Sequence, residues 1–324
     1  MSEPLIVIGE NLNATRKLKA TSPRIVPLDD HRWGLAYTDL EGTPRVLDLT
    51  ECYPKDPEER GRALVPYIAH AIRTRDLDYL AYAVRAQIRA GADIIDCCVD
   101  ELSPWPEERM EHMRWLITTI QSMTEVTLSV DSSDPDTIAA GLQVYDRKKS
   151  RPCINSVNLE EGRLVLLDLA REYDALLAAN ASGREGMPYS AQERFDNLCQ
   201  VMGHMDRAGI PLKDRYLDGL VFPIGAGPDF GNHYLDAIRM LREHFGPEVH
   251  LFGGHSNVSF GMPNRKLLND TFLILSILAG CDCIMVDPLM NPPQRYIEFK
   301  LAADALTARD EYGLNYLAHC RASA

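Results

Sequence analysis

Gly253 to Asn269 reads GGHSNVSFGMPNRKLLN, with EVHLF directly before it and DTFLILSILAG, then CDCIMVDPL, directly after it. Val249 to Phe252 is short, mostly apolar and stopped by two glycines, the pattern of a buried strand ending in a loop that other groups approach closely. Asn257 lies in that loop. Pro263 is expected to open a helix, because a proline at the first helical position lacks only an N–H that would be unpaired there. Leu267, Leu268, Phe272, Leu275 and Leu278 then recur at helical spacing and are expected to form its buried face, with Gly280 as its stop. Cys283 to Val286 reads as the next apolar strand and ends in Asp287. Strand, polar loop, helix and strand in this order build parallel sheets. Their ligands lie at the carboxyl ends of the strands, where Asn257 and Asp287 fall.

The same rhythm extends back along the chain. Leu5 to Ile8 is an apolar run stopped by Gly9 and followed by the polar loop Glu10 to Thr15. From Asp76 the alternation is regular: strands are expected at Asp93 to Val99, Val126 to Val130, from Cys153, at Ala175 to Ala179 and at Tyr216 to Val221. Helices are expected at Leu77 to Ala90, Pro106 to Met123, Asp134 to Leu142, Leu164 to Arg171, Ala191 to Ala208 and His233 to Phe245. A last helix spans Gln294 to Leu306. Eight strands, each followed by a helix, predict a single (β/α)8 TIM barrel over residues 1–324. Residues 16–75 are the exception: six prolines interrupt them, and Trp33 to Tyr37 and Arg45 to Leu49 flank a Glu41-Gly42 turn, the pattern of a hairpin. A long insertion after the first strand is read either as a lid over the strand ends or as a peripheral excursion.

Composition narrows the function classes. Of 324 residues, 45% are apolar and 25% charged, which is ordinary for a globular protein. The 34 basic against 47 acidic residues give a net charge of −13, which argues against non-specific nucleic-acid or anionic-membrane binding. No signal-peptide or membrane-span pattern is present, so a cytoplasmic location is expected. The eight cysteines contain no CxxC pair, and His255, His319 and Cys320 have no partners at metal spacing, so reduced core thiols and no metal site are expected.

In such a barrel, function sits where each strand runs out. Strand one delivers Glu10, Asn11 and Asn13, strand two Asp96 and then Asp100, strand three Asp131, strand four Asn155 and Asn158. Strand five ends near Asn180, strand six at Asp218, and strands seven and eight lead to Asn257 and Asp287. Nearly all are carboxylates or carboxamides. An Asp or Asn after a strand often caps the next helix. Asp134-Pro135 supplies a nearer cap than Asp131, and the apolar loop after Asp218 weakens that role there, whereas Asp287 is read as structural. A row of acids and amides suits the edge of a reduced pterin, which carries an amino group and ring N–H donors beside a carbonyl acceptor. A phosphate would call for lysine, arginine or backbone N–H groups instead.

Taken together and in order, GENLNAT, LSVDSS, CINS, YLDGL, GGHSNVSFGMPNRKLLN and MVDPL resemble the pterin-binding barrel of methyltetrahydrofolate:corrinoid methyltransferases. That barrel is related to the folate-binding domain of cobalamin-dependent methionine synthase and, more distantly, to dihydropteroate synthase. The resemblance covers roughly residues 1–15 and 76–300, and His255 stands where a leucine or similar residue is expected. It implies that Asp131, Asn155 and Asp218 hydrogen-bond the pterin, with Asn13 nearby, and that Asn257 reaches the ring nitrogen that carries or receives the methyl group; Glu10 and Asp96, from their places at the ends of strands one and two, are further candidates for binding the pterin. It also implies transfer of a methyl group between that nitrogen and a corrinoid (methylcobalamin) held by a separate protein, tetrahydrofolate as substrate, a place in one-carbon metabolism, and a homodimer. Two alternatives stand beside it: a non-catalytic folate-binding subunit of a corrinoid complex, and dihydropteroate synthase. The latter's expected lysine after strand six is not found in LVFPIGAG.

Overall fold

The computed structural model describes residues 5–29 and 31–322. Its eight barrel strands are β1 (Ile6–Asn13), β2 (Ile94–Cys98), β3 (Thr127–Asp131), β4 (Cys153–Val157), β5 (Leu176–Asn180), β6 (Arg215–Asp218), β7 (His250–Phe252) and β8 (Cys283–Val286). They form one sheet in the order β7-β6-β5-β4-β3-β2-β1-β8, the order of a wound barrel with β7 and β8 at its ends. The eight following helices are α1 (Leu77–Arg89), α2 (Pro106–Gln121), α3 (Pro135–Gln143), α4 (Leu166–Tyr173), α5 (Ala191–Ala208), α6 (Phe230–Phe245), α7 (Arg265–Ala279) and α8 (Pro293–Leu306). The fold is the expected (β/α)8 TIM barrel, nearly closed. At the seam, Gly254 and Met285 form a parallel bridge. The Asp282 carboxylate accepts the Leu251 N–H at 2.8 Å, with Arg242 donating to the same oxygen at 2.8 Å.

Two compact units divide the chain: Met1–Gly9, Ala90–Ile94 and Cys153–Ala324 form the first, and Glu10–Arg89 and Ile95–Pro152 the second. In the first, β4 to β7 pair in parallel, with Leu177 beside Arg215 and Leu217 beside Leu251, and β1 joins β8 with Ile8 beside Met285. Ile8, Ile94, Cys153, Ala178, Tyr216, Phe252, Cys283 and Met285 pack as one buried cluster, so the interior is filled by side chains. Cys153 and Cys283 belong to this cluster. All eight are free thiols, and Cys97, Cys98, Cys153, Cys281 and Cys283 are buried.

In the second unit, residues 33–49 form the expected hairpin, with Trp33–Thr38 paired to Pro44–Asp48 and Tyr37 beside Arg45. It packs on a helix flank: Tyr37 lies 5.1 Å from Tyr79 and 4.6 Å from Tyr82 of α1, ring centre to ring centre, and Arg89 donates to the Leu40 carbonyl. Trp33 stacks on Tyr53 at 4.4 Å, and the Arg60 guanidinium lies over both rings. The start of the insertion stays near strand ends, where Arg16 pairs with Glu10 at 2.7 Å and Lys17 with Glu101 at 2.6 Å.

Three local expectations change. β1 runs on through Glu10 to Asn13, because its backbone continues extended past Gly9. α7 begins at Arg265 rather than Pro263, since Asn264 adopts a left-handed conformation (φ 49°) and a short 3-10 turn, His255–Ser259, intervenes. Its buried face is Phe272, Leu273, Ser276 and Ile277, whereas Leu267, Leu275 and Leu278 are exposed. Periodicity alone does not separate two apolar faces on one helix.

Candidate active site

In the second unit the ends of β1, β2 and β3 bring three of the expected residues into contact. The Asn13 side-chain amide donates to Asp96 at 3.2 Å and to Asp131 at 3.4 Å. Its oxygen is held from the other side by the Thr15 N–H at 3.0 Å and the Thr15 hydroxyl at 2.6 Å, so its donor end is fixed towards the two acids. Asp96 has no exposed surface and accepts the Ser129 hydroxyl at 2.9 Å. Burial, then the charges of Asp96 and Asp100 and a hydrogen bond to Asp96, hold the Asp131 carboxyl well above the usual carboxylate range. Two carboxyls this close keep a proton between them until a cationic or N–H-rich group replaces it. Glu10 is paired with Arg16.

The neighbouring acids are taken up by local donors. Asp134 caps α3, accepting the Asp136 N–H at 3.2 Å and the Thr137 hydroxyl at 2.6 Å, which leaves Asp131 outside that role as its spacing predicts. Asp100 accepts the Ser132 hydroxyl at 2.5 Å and the Ser133 N–H at 2.8 Å, holding the loop after β3.

The first unit carries Asn155, Asp218 and Asn257. Asn155 is half-buried on β4 and Asp218 half-buried at the end of β6. The Asp218 carboxyl accepts the Leu220 N–H at 2.8 Å. Burial pushes its pKa up to about 7, against the opposing pull of that N–H and of the Arg194 cation. Asn257 is exposed, on the 3-10 turn that follows β7. Asn158 and Asn180 hold loops: Asn158 donates to Asn180 at 3.2 Å, and Asn180 donates to the Ser156 hydroxyl at 2.7 Å. Asp287 accepts the Leu289 and Met290 N–H groups at 3.0 and 3.2 Å, so it holds the turn after β8 rather than capping α8, which begins at Pro293.

One residue beside Asp218 was not visible in the sequence. Arg194 on α5 is fully buried, donates to the Gly219 carbonyl at 2.9 Å and to Tyr189 and Ser190 carbonyls at 2.9 and 3.0 Å, and lies over the Phe222 ring. It ties the loop after Asp218 to the start of α5 and is the cation that moderates Asp218. A Ser190-x-x-Glu193 capping box starts that helix, with both of its hydrogen bonds formed. Nothing in the pattern marks the arginine that follows as inward-facing. No group of three potential metal ligands occurs among the described residues, and none of their helices is long and apolar enough to cross a membrane.

Chemically, the second unit offers an amide fixed donor-outward between two acids, and the first unit carries a third acid whose pKa is raised to about 7. A methylcorrinoid:tetrahydrofolate methyltransferase of Eubacterium limosum is 28% identical over 261 residues, which cover 80% of this chain and 93% of that protein. Among solved structures, Yersinia pestis DHPS with a pterine-sulfa conjugate superposes with a TM-score of 0.55 at 18% identity, covering 72% of this chain and 89% of that one. The 7,8-dihydropteroate synthase of Vibrio fischeri superposes equally well at 17% identity, covering 72% and 88%. These likenesses show a shared fold. Residues 68–287 match the family model described as pterin binding enzyme, and the chain therefore belongs to the pterin-binding enzyme family.

Proposed function

We propose that this protein is a methyltransferase that moves a methyl group between a corrinoid carried by a separate protein and a ring nitrogen of tetrahydrofolate. The observation that carries the reading is the chemistry of the strand ends: Asp131 and Asp218 both hold protons more tightly than ordinary carboxylates, and Asn13 presents its amide to the first of them. A pterin edge supplies the N–H donors that such acids lack, so its arrival replaces a shared proton with hydrogen bonds. The likeness to the methylcorrinoid:tetrahydrofolate methyltransferase over nearly its whole length supports the choice of reaction.

In this reading Asp131, Asn155 and Asp218 hydrogen-bond the pterin. Asn13 orients Asp131, the buried Asp96 shares its proton, and Glu10 keeps Arg16 from the acids. Asn257 acts on the reacting nitrogen. A carboxamide can donate to a nitrogen lone pair or, after rotation, accept from a protonated nitrogen, so it can favour the transition state without a strong acid. With methylcobalamin as donor, the carbon–cobalt bond breaks with its electron pair left on cobalt, the nitrogen–carbon bond forms, and the nitrogen passes its proton to solvent water.

The protein partner is a corrinoid carrier. A second copy of the chain is proposed to cover the exposed leucines of α7, Leu267, Leu275 and Leu278. Eight free thiols fit a reducing cytoplasm. The test is anaerobic incubation with methylcobalamin and tetrahydrofolate, following the cobalamin spectrum. Conversion to cob(I)alamin with formation of methyltetrahydrofolate is expected. An unchanged spectrum with bound folate would leave a folate-binding subunit, and turnover of a pterin pyrophosphate with p-aminobenzoate would point to a dihydropteroate synthase.

A further inference from the structure

Behind the turn that carries Asn257 lies a buried polar contact that the reading above does not use. His255, the first residue of that turn, has no exposed surface, and neither does Tyr234 of α6. The Tyr234 hydroxyl lies 3.2 Å from His255 Nε2 and 3.3 Å from Cys281 Sγ. The two rings meet edge to face at 5.9 Å, and both pack against Phe272.

The backbone around the pair is shaped to admit it. A Cβ on Gly253 would stand 2.9 Å from the Tyr234 hydroxyl, and one on Gly219 would stand 3.1 Å from its ring. Tyr234 is thus wedged between the residue after Asp218 and the residues that lead to Asn257. From His255 the turn is short: the His255 N–H donates to the Gly253 carbonyl at 2.8 Å, and the Asn257 N–H to the Gly254 carbonyl at 3.0 Å. A Cβ on Gly254 would stand 3.0 Å from the Asn257 amide nitrogen. The side chain that faces solvent is therefore two residues from one locked into the core.

We propose that Tyr234 and His255 are positioning residues for Asn257, fixing the exposed carboxamide in the pose that methyl transfer requires. The proposal rests on the methyl-transfer reading. Burial keeps His255 neutral, with its pKa pushed down to about 3, and keeps the Tyr234 hydroxyl protonated, so the contact persists across the working pH range. A leucine at 255 could fill the same volume but could not hold the hydroxyl. A purely structural pair would affect folding and folate affinity as much as transfer, whereas a positioning pair acts only through Asn257.

The experiment uses the full chain, with Tyr234→Phe and His255→Leu made alone and in an Asn257→Ala background. Steady-state transfer from methylcobalamin to tetrahydrofolate is measured, and the Asn257 side-chain amide is followed by 15N NMR, identified by its loss in Asn257→Ala. Each single change is expected to lower kcat about tenfold with KM for tetrahydrofolate within about twofold, and to have almost no further effect when Asn257 is already absent. The Asn257 amide signals are expected to shift or double. Equal losses in both backgrounds, or a rise in KM alone, would overturn the proposal. If the wild-type chain transfers no methyl group, the methyl-transfer reading fails, and the amide spectrum decides the positioning claim by itself: signals unchanged in Tyr234→Phe would overturn it.

Discussion

Tetrahydrofolate binding should depend on pH through Asp218. Burial raises its carboxyl to a pKa of about 7, so the free protein holds that proton at pH 6 and has largely lost it at pH 8. A pterin N–H donates to a carboxylate and not to the proton of a carboxylic acid, so binding selects the ionised form. With a pKa near 7, about one molecule in ten is ionised at pH 6 and about nine in ten at pH 8. Through Asp218 alone the apparent Kd should therefore be about tenfold weaker at pH 6, or about 1.4 kcal/mol, with any proton displaced from the Asp96–Asp131 pair adding to that slope. Anaerobic titration calorimetry in buffers of different ionisation enthalpy reads both the affinity and the proton released on binding. Arg194→Met, which removes the opposing cation, should move the break in the profile to higher pH. Asp218→Asn should remove this component while weakening binding overall. A wild-type affinity that is flat between pH 6 and 8, or a slope retained in full by Asp218→Asn, would refute the reasoning.

The same acid makes a stability prediction. Because its folded pKa of about 7 lies above its ordinary value of 3.8, Asp218 binds its proton more tightly in the folded chain; its contribution is present below about pH 4 and is lost as pH rises through 7. The loss is at most about 4 kcal/mol, and Asp218→Asn should raise Tm relative to wild type more at pH 8 than at pH 5 in calorimetric scans. Asp134→Ala should cost about 1 kcal/mol in urea unfolding by removing the cap of α3, with kcat unchanged. Leu275→Glu combined with Leu278→Glu should yield a monomer in light scattering if these exposed leucines meet a second copy; a dimer that persists would place the interface elsewhere.

The barrel was legible in the sequence because its strands are fully buried runs such as IIDCC in β2 and CIMV in β8, which need no alternation to be read. The hairpin at 33–49 was legible from its turn. What failed did so for local physical reasons. The end of β1 was hidden because a strand continuing through Glu10 to Asn13 satisfies its backbone without apolar side chains. The start of α7 was hidden because the left-handed Asn264 stops the helix from beginning at Pro263. The α7 leucines misled because an exposed apolar face has the same period as a buried one. At the site, the acids and amides were readable from where their strands end, and so was the distinction between Asp134 as cap and Asp131 as ligand candidate. Their environment was not: that Asn13 faces two acids, that Arg16 is taken by Glu10, and that Arg194, Tyr234 and His255 turn inward are facts of tertiary packing.

The central claim is that strand-end acids and amides hold a pterin while Asn257 acts on its reacting nitrogen. Single-turnover methyl transfer from methylcobalamin, measured anaerobically at saturating tetrahydrofolate with wild type and Asn257→Ala, addresses it most directly. The account predicts that Asn257→Ala slows transfer by about a hundredfold, the scale of losing one preorganised group that acts in the transition state, with tetrahydrofolate Kd changed by less than about threefold. Transfer by Asn257→Ala at the wild-type rate would contradict it.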